Sequence, residues 1–468
     1  MRRFCLILAG MLALSLPLSA NSVQRYWSGT TGTGTFATDG SCPLVAEHET
    51  LTFSLGELPS NHYFTAEDYL AYSGSVTAEY TFYNPADYEV TATLVFPFGK
   101  SSDYAYLVHP EEGIGRLPAV DLKKYGVAVD GAAADVTVRH TLSHAYAPFE
   151  LDTDLPRLID GFAADDFYSP ELPVRCVKYT AWGIDAAHRS ARAAIVWRGD
   201  ETKTRVYLEG MTGAETLDKG VRLEVSVQNG TEITLWIIGE VPELPGWTLY
   251  ENGACETEIA GRIEMLDELA IEQRALTFRD FALQKWQADS GILESDWYNA
   301  MVAALGQERW KHGILRVEGG LDLSDSLLSW YEYELRVPAG GRVVNTVTAP
   351  MYPSIDARWE PPQYYYLYLL SPASSWSDFG TLDVEIITPY YMTSCSLDGF
   401  AKTETGYAAS FDGLPAGELM FMLCTSESPQ RLAMGRGIGR LLLAVPVILL
   451  GGAGIFTFVW AAKRHRES

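Results

Sequence analysis

Ser75–Pro97 reads SVTAEYTFYNPADYEVTATLVFP. In its first half Val76, Ala78, Tyr80 and Phe82 alternate with Ser75, Thr77, Glu79 and Thr81. Asn84-Pro85-Ala86-Asp87 carries turn residues, and Tyr88, Val90, Ala92, Leu94 and Phe96 then resume the period of two. A period of two puts one apolar face on each strand, so the stretch predicts a hairpin with one buried face. A second hairpin is expected where Val221, Leu223, Val225 and Val227 alternate, Asn229-Gly230 offers a positive-φ turn, and Ile233, Leu235 and Ile237 return.

Shorter strands fit Glu49–Leu55, Gly126–Asp130, Asp135–Thr141, Val174–Thr180, Ala193–Trp197 and Arg205–Leu208. Many short strands with turns between them predict an N-terminal β-sandwich over 21–250. The period changes over 256–312, where a helical segment is expected. Apolar residues recur at Ile263, Leu266, Ala270 and Ile271. Thr277 with Asp280 makes a capping-box variant opening a helix over 278–288. Beyond Ser295, Trp297, Met301, Ala304 and Leu305 share a helix face suited to packing on a sheet. Alternation returns in Tyr331–Val337 and continues through short strands to Leu423, predicting a second, smaller sandwich over 313–425. The fold class expected is therefore mainly β: two sandwiches joined by a short helical segment, plus one C-terminal transmembrane helix.

That helix is read from Leu441–Ala462, 22 residues without a charge, followed by Lys463, Arg464 and Arg466. At 1.5 Å per residue it reaches about 33 Å, enough for a bilayer core of about 30 Å. Residues 426–440, rich in Ser, Pro, Gly and Arg, read as a juxtamembrane linker, and 463–468 as a cytoplasmic tail. At the other end Arg2 and Arg3 precede an apolar run from Phe4 to Leu18 and the small residues Ser19 and Ala20. This is the pattern of a signal peptide over 1–20. Together the two runs predict a single-pass cell-membrane protein with its N-terminus outside.

The chain carries 35 Lys+Arg against 60 Asp+Glu, a net charge of −25. Such a surface repels phosphate backbones, so nucleic acid is excluded as a partner. Of six cysteines, Cys5 lies in the signal-like run. The remaining five form no C-x-x-C and no disulfide framework; Cys395 and Cys424 make the best candidate pair.

Val76–Lys100 resembles the opening of VIT-type domains (vault and inter-alpha-trypsin inhibitor proteins). There a strand ends in a Y-x-N-like turn, here Tyr83-Asn84, and the next strand closes with FP, here Phe96-Pro97. A later V-x-V-x-G resembles Val127–Gly131. The resemblance, over 76–131, implies a β-sandwich used for protein contacts without catalysis.

Candidate chemistry is sparse. The acidic loop Glu150–Pro173 carries Asp152, Asp154, Asp160, Asp165 and Asp166, oxygen donors that suit Ca²⁺ but lack the EF-hand spacing. His140 and His144 share a strand face, with Glu150 as the nearest third metal ligand. The dense tyrosines at 364–366, 368, 390 and 391 would suit sugar rings where exposed. Asp322-Leu323-Ser324-Asp325-Ser326 spells D-x-S-x-S, which resembles the metal-site signature of von Willebrand A domains. It follows the turn Val317–Gly320 instead of a buried strand, so a polar turn entering a strand is expected. No hydrolase, phosphate-loop or zinc-protease motif occurs, and no cofactor is implied. The function expected is a non-catalytic interaction or structural role at the cell surface, toward a protein or glycan partner. A subunit of a membrane complex and a cell-wall or glycan hydrolase are the alternatives.

Overall fold

The computed structural model describes residues 23–31, 34–36, 42–59, 72–97, 106–109, 113–116, 125–143, 151–266, 276–307, 309–317 and 320–432. The fold is mainly β, built from several sheets. The signal-like run, the linker beyond 432 and the apolar run at 441–462 lie outside the described residues. Among those residues no helix is long and apolar enough to cross a membrane.

Two large sheets face each other over one core. The eight-stranded sheet is centred on Phe379–Ile387, Val45–Ser54, Ser75–Tyr83 and Arg342–Pro350. The five-stranded sheet runs Thr137–Leu142, Leu327–Val337, Glu89–Pro97, Val23–Thr31 and Gly34–Phe36. Their inward rows, including Phe53, Tyr80, Phe82, Leu94, Phe96, Tyr333 and Val384, share a single apolar cluster. Tyr366, Tyr368 and Phe421 of a four-stranded sheet join the same cluster.

Neither expected hairpin forms. Ser75–Tyr83 pairs with Val45–Ser54 and Arg342–Pro350, whereas Glu89–Pro97 pairs with Val23–Thr31 and Leu327–Val337. The turn at Asn84–Tyr88 therefore carries the chain from one sheet across the core to the other. Alternation reports which face of a strand is buried, and that face is the same whether the next strand lies beside it or opposite it. Gly220–Ser226 and Glu232–Gly239 repeat the arrangement, the first in a four-stranded sheet and the second in the sheet it packs on. There Asn229 turns its amide oxygen to the Gly183 N–H, and Gly230 takes the positive φ.

The first crossing is stacked on another. Leu327–Val337 and Arg342–Pro350 cross between the same two sheets through Pro338–Gly341. Asn84, fully buried between the two corners, reaches the carbonyls of Tyr88, Val337 and Pro338 at 2.8, 3.0 and 3.1 Å. Its own side-chain oxygen accepts from the Ala86 N–H. Pro338 also accepts from the Gly341 N–H at 2.9 Å, so the Asn84 amide adds to the corner's own backbone bonding and gives the Tyr88 and Val337 carbonyls a donor.

The division at 21–250 and 313–425 is corrected by these pairings, since strands of the C-terminal third complete the sheets begun by 23–142. Residues 151–323 form an insertion between two neighbouring strands. Thr137–Leu142 and Leu327–Val337 pair antiparallel, and the Ser143 N–H donates to the Ser326 carbonyl at 2.7 Å where the insertion leaves and rejoins. Within the insertion, a sheet holding Pro173–Trp182, Glu232–Gly239 and Thr204–Leu208 is buried on both faces. One face packs on the four-stranded sheet of Gly220–Ser226 and Arg192–Trp197. The other packs on the helices Phe278–Ala282 and Glu294–Gln307.

Trp297, Met301, Ala304 and Leu305 are buried there, as their spacing predicts. The capping box also forms, Asp280 accepting from the Thr277 N–H at 2.9 Å, but the helix it opens ends at Ala282. Upstream, Arg262–Met265 is a strand paired with Tyr179–Trp182, so the helical period at Ile263 does not hold. Helix against strand over so few apolar residues is decided by an available sheet edge, not by period.

Asn84→Ala removes the bridging amide and takes the side-chain donor from the buried Val337 carbonyl. We expect a loss of roughly 2–3 kcal/mol in urea denaturation. A loss within experimental error would mean that the corners do not depend on it.

Candidate functional site

The outer sheet of the insertion has the strand order Met211–Leu217, Gly220–Ser226, Arg192–Trp197, Thr248–Tyr250. Ala193, Ile195, Val221 and Leu223 point into its core. The alternate residues Ala194, Val196 and Arg222, with Thr248 and Tyr250, line a groove of about 560 Å³ on the opposite side. Pro242–Gly246 forms one wall and Trp197–Gly199 closes an end. The volume lies in the range of small-molecule sites, about 300–1,000 Å³.

The charges of the groove are unequal in availability. The Arg222 guanidinium is shared by Glu215 and the buried Glu224, the latter at 3.1 Å. Burial works against its charge, yet the hydrogen bond it donates to Glu224 and the neighbouring carboxylates hold its pKa above the ordinary arginine value. Arg198 is exposed and donates from Nε to the Lys219 carbonyl at 3.0 Å, and its outer nitrogens bond to no described residue. Gly220 permits this seat: a Cβ there would lie 2.7 Å from Arg198 Cγ and 2.4 Å from the Trp197 carbonyl. Trp197 in turn donates from its indole to the His312 carbonyl at 3.1 Å. On the wall, the exposed Glu243 sits among Pro242, Leu244 and Pro245.

The residues singled out from sequence lie elsewhere. In the acidic loop Asp154 pairs with Arg157 at 2.7 Å and Asp160 with Arg139 at 3.2 Å. Asp165 accepts from the Phe167 and Tyr168 N–H groups, making a turn, while Asp152 and Asp166 are exposed. Three of the five carboxylates are thus occupied by the protein itself. No group of three or more His, Cys, Asp or Glu that could hold a metal occurs among the described residues.

His144 and Glu150 lie outside the described residues. His140 is largely buried beside Arg139, and burial, aided by that guanidinium, lowers its pKa to about 4. Its Nδ1 has no hydrogen-bond partner. Its neighbour Arg139 anchors a buried network. Arg139 binds Asp296 through two nitrogens at 3.0–3.2 Å and Glu332 at 3.0 Å, and the His140 N–H donates to Asp296 at 2.7 Å. Burial raises the Asp296 pKa against the pull of Arg139.

Asp322 accepts from the Ser324 N–H and hydroxyl in a short 3₁₀ turn that enters Leu327–Val337, the polar turn expected. The tyrosines 364, 365, 366 and 368 are buried, so they offer no face to a sugar; Tyr391 is exposed under Lys402. Cys395 and Cys424 are free and do not pair. They sit on adjacent strands, Cys395 opposite Phe421 and Cys424 opposite Tyr391. That offset is about 10 Å along the strands, beyond the roughly 7 Å Cα limit of a disulfide. Arg198, Arg222, Glu243 and Tyr250 belong to no motif. The one cue in sequence is Pro242-Glu243-Leu244-Pro245, a carboxylate between two φ-restricting prolines.

No family model matches the chain, and no curated protein matches it. Among solved structures, a candidate nutrient-binding protein of Legionella pneumophila aligns at 10% identity over 87% of this chain and 71% of that one, with a TM-score of 0.35. A structure of infectious bursal disease virus, Gx strain, aligns at 10% identity over 70% and 63%, with a TM-score of 0.07. At these scores neither likeness bears on fold or ligand.

Because His140 titrates lower when folded than when unfolded, the unfolded chain takes up a proton that the folded chain refuses. Stability is full above the ordinary histidine value and falls as pH drops from about 6.5 toward about 4. His140→Gln should flatten urea-denaturation midpoints between pH about 7 and about 5. An unchanged slope would assign that proton uptake to other groups.

Proposed function

We propose that this chain is a membrane-tethered, non-catalytic recognition protein that takes its ligand in the groove on the outer face of the insertion. The observation that carries the reading is the groove itself. It is concave, small-molecule sized and floored by Ala194 and Val196, with a guanidinium seated by packing at one end. Most other apolar faces are consumed by the cores.

Tethering rests on the uncharged 441–462 run with its basic flank, taken as a single helix with the N-terminus outside and the C-terminus in the cytoplasm. The bulk of the chain then forms the extracellular part. The likeness of 76–131 to VIT-type domains points the same way, to a β-rich scaffold for contacts. A non-catalytic role is supported by the cysteines: burial pushes the Cys42 and Cys176 thiols up to about 11, far from the thiolate that a nucleophile needs.

The test is thermal melting of the full chain in detergent micelles against a panel of amino acids, short peptides, and neutral and acidic oligosaccharides. Val196→Trp fills the groove from a partly exposed position. A compound that raises the melting temperature of the native chain should leave that of Val196→Trp unchanged. A compound that protects both equally places recognition elsewhere.

A further inference from the structure

We infer that the groove is built for a zwitterion: a short peptide, or an amino acid, with a free ammonium and a free carboxylate. The inference rests on the groove being the recognition site and adds the chemistry of what enters it.

Three charged side chains line the groove, and their partners set them apart. Arg222 is neutralised by Glu215 and Glu224, so it contributes structure more than field. Arg198 and Glu243 are exposed, and neither forms an ion pair with a described residue. One positive and one negative group therefore remain to be met by whatever occupies the space. A purely anionic ligand would satisfy Arg198 but face Glu243, and a cation would meet the reverse. A molecule carrying both charges satisfies both, and charge-assisted hydrogen bonds to a guanidinium fork are the stronger kind.

Arg198 is held in advance of binding, and Glu243 stands on restrained backbone. Arg198 is fixed by its bond to the Lys219 carbonyl and by the absence of a side chain at Gly220. Glu243 stands on a wall stiffened by Pro242 and Pro245. Preorganised groups lose little freedom on binding, so more of their interaction is kept as affinity. The same lining includes the apolar Ala194 and Val196 and the aromatic Tyr250, which suit a side chain of modest size.

The probe is the tripeptide Ala-Leu-Ala with free ends, titrated by calorimetry into the full chain in detergent micelles. Its N-acetylated, C-amidated and doubly capped forms are run alongside. We expect the free peptide to bind and each single cap to weaken it by about tenfold or more, as expected for a lost charged hydrogen bond. Arg198→Gln should erase the effect of amidation and keep that of acetylation; Glu243→Gln should do the converse. Both positions are exposed, so neither change threatens folding. Capped peptides that bind as well as the free one overturn the inference. So does an absence of binding by the free peptide at millimolar concentration. In either case the groove itself stands or falls separately, on whether Val196→Trp abolishes protection by some other compound.

Discussion

The pairing of Glu89–Pro97 with Leu327–Val337 is the constraint on which the rest of the structure depends. Val90 lies opposite Val337 and Pro97 opposite Trp330, so more than 200 residues of chain separate partners in perfect register. A free loop of that length would cost entropy only logarithmically more than a short one. Here the intervening chain is not free. The insertion leaves beside the strand it rejoins, and its folded ends hold Thr137–Leu142 against the other edge of Leu327–Val337. The central strand is thus gripped from both sides, and the arches at Asn84 and Pro338 carry that order into the facing sheet.

The Arg139 network sits at this seam and ties the insertion to the five-stranded sheet. Arg139 lies on the outer strand, Glu332 on the strand beside it, Asp296 at the start of the Glu294–Gln307 helix, and Asp160 on the loop before Pro173–Trp182. One guanidinium joins both parts of the fold. Arg139 and Asp296 are both nearly inaccessible to water. Breaking such a pair by removing one partner costs about 3–5 kcal/mol, because the other charge is left buried. The pair therefore acts as a positional lock, whether or not it adds net stability over an apolar substitute. A fixed insertion is in turn what gives the groove, on its far sheet, a set orientation relative to the rest of the chain.

Strand positions were legible because burial writes itself as a period of two: Tyr331, Tyr333, Leu335 and Val337 are buried and Glu334 and Arg336 exposed, as alternation implies. Which strand pairs with which was not legible. Asn84-Pro85-Ala86-Asp87 would serve a hairpin as well as an arch, and only the side chain of Asn84, folded inward onto the other corner, tells them apart. The tyrosines at 364–368 looked like a binding surface because aromatic density is the same whether rings face water or a core. The groove is not legible for the opposite reason. Its residues come from three separate segments, and their meaning lies in what Arg222 is paired with and Arg198 is not, a distinction composition does not carry.

Disulfide trapping tests the nested order most directly. Thr91 and Arg336 are register partners on neighbouring strands, neither fully buried. Thr91→Cys combined with Arg336→Cys should cross-link under mild oxidation and appear as a single linked peptide by mass spectrometry, since cross-strand Cα separations of about 4.5–5.5 Å suit the bond. Thr81→Cys with Thr91→Cys, the partners a hairpin would bring together, should stay reduced. A cross-link in the second pair and none in the first would contradict the account.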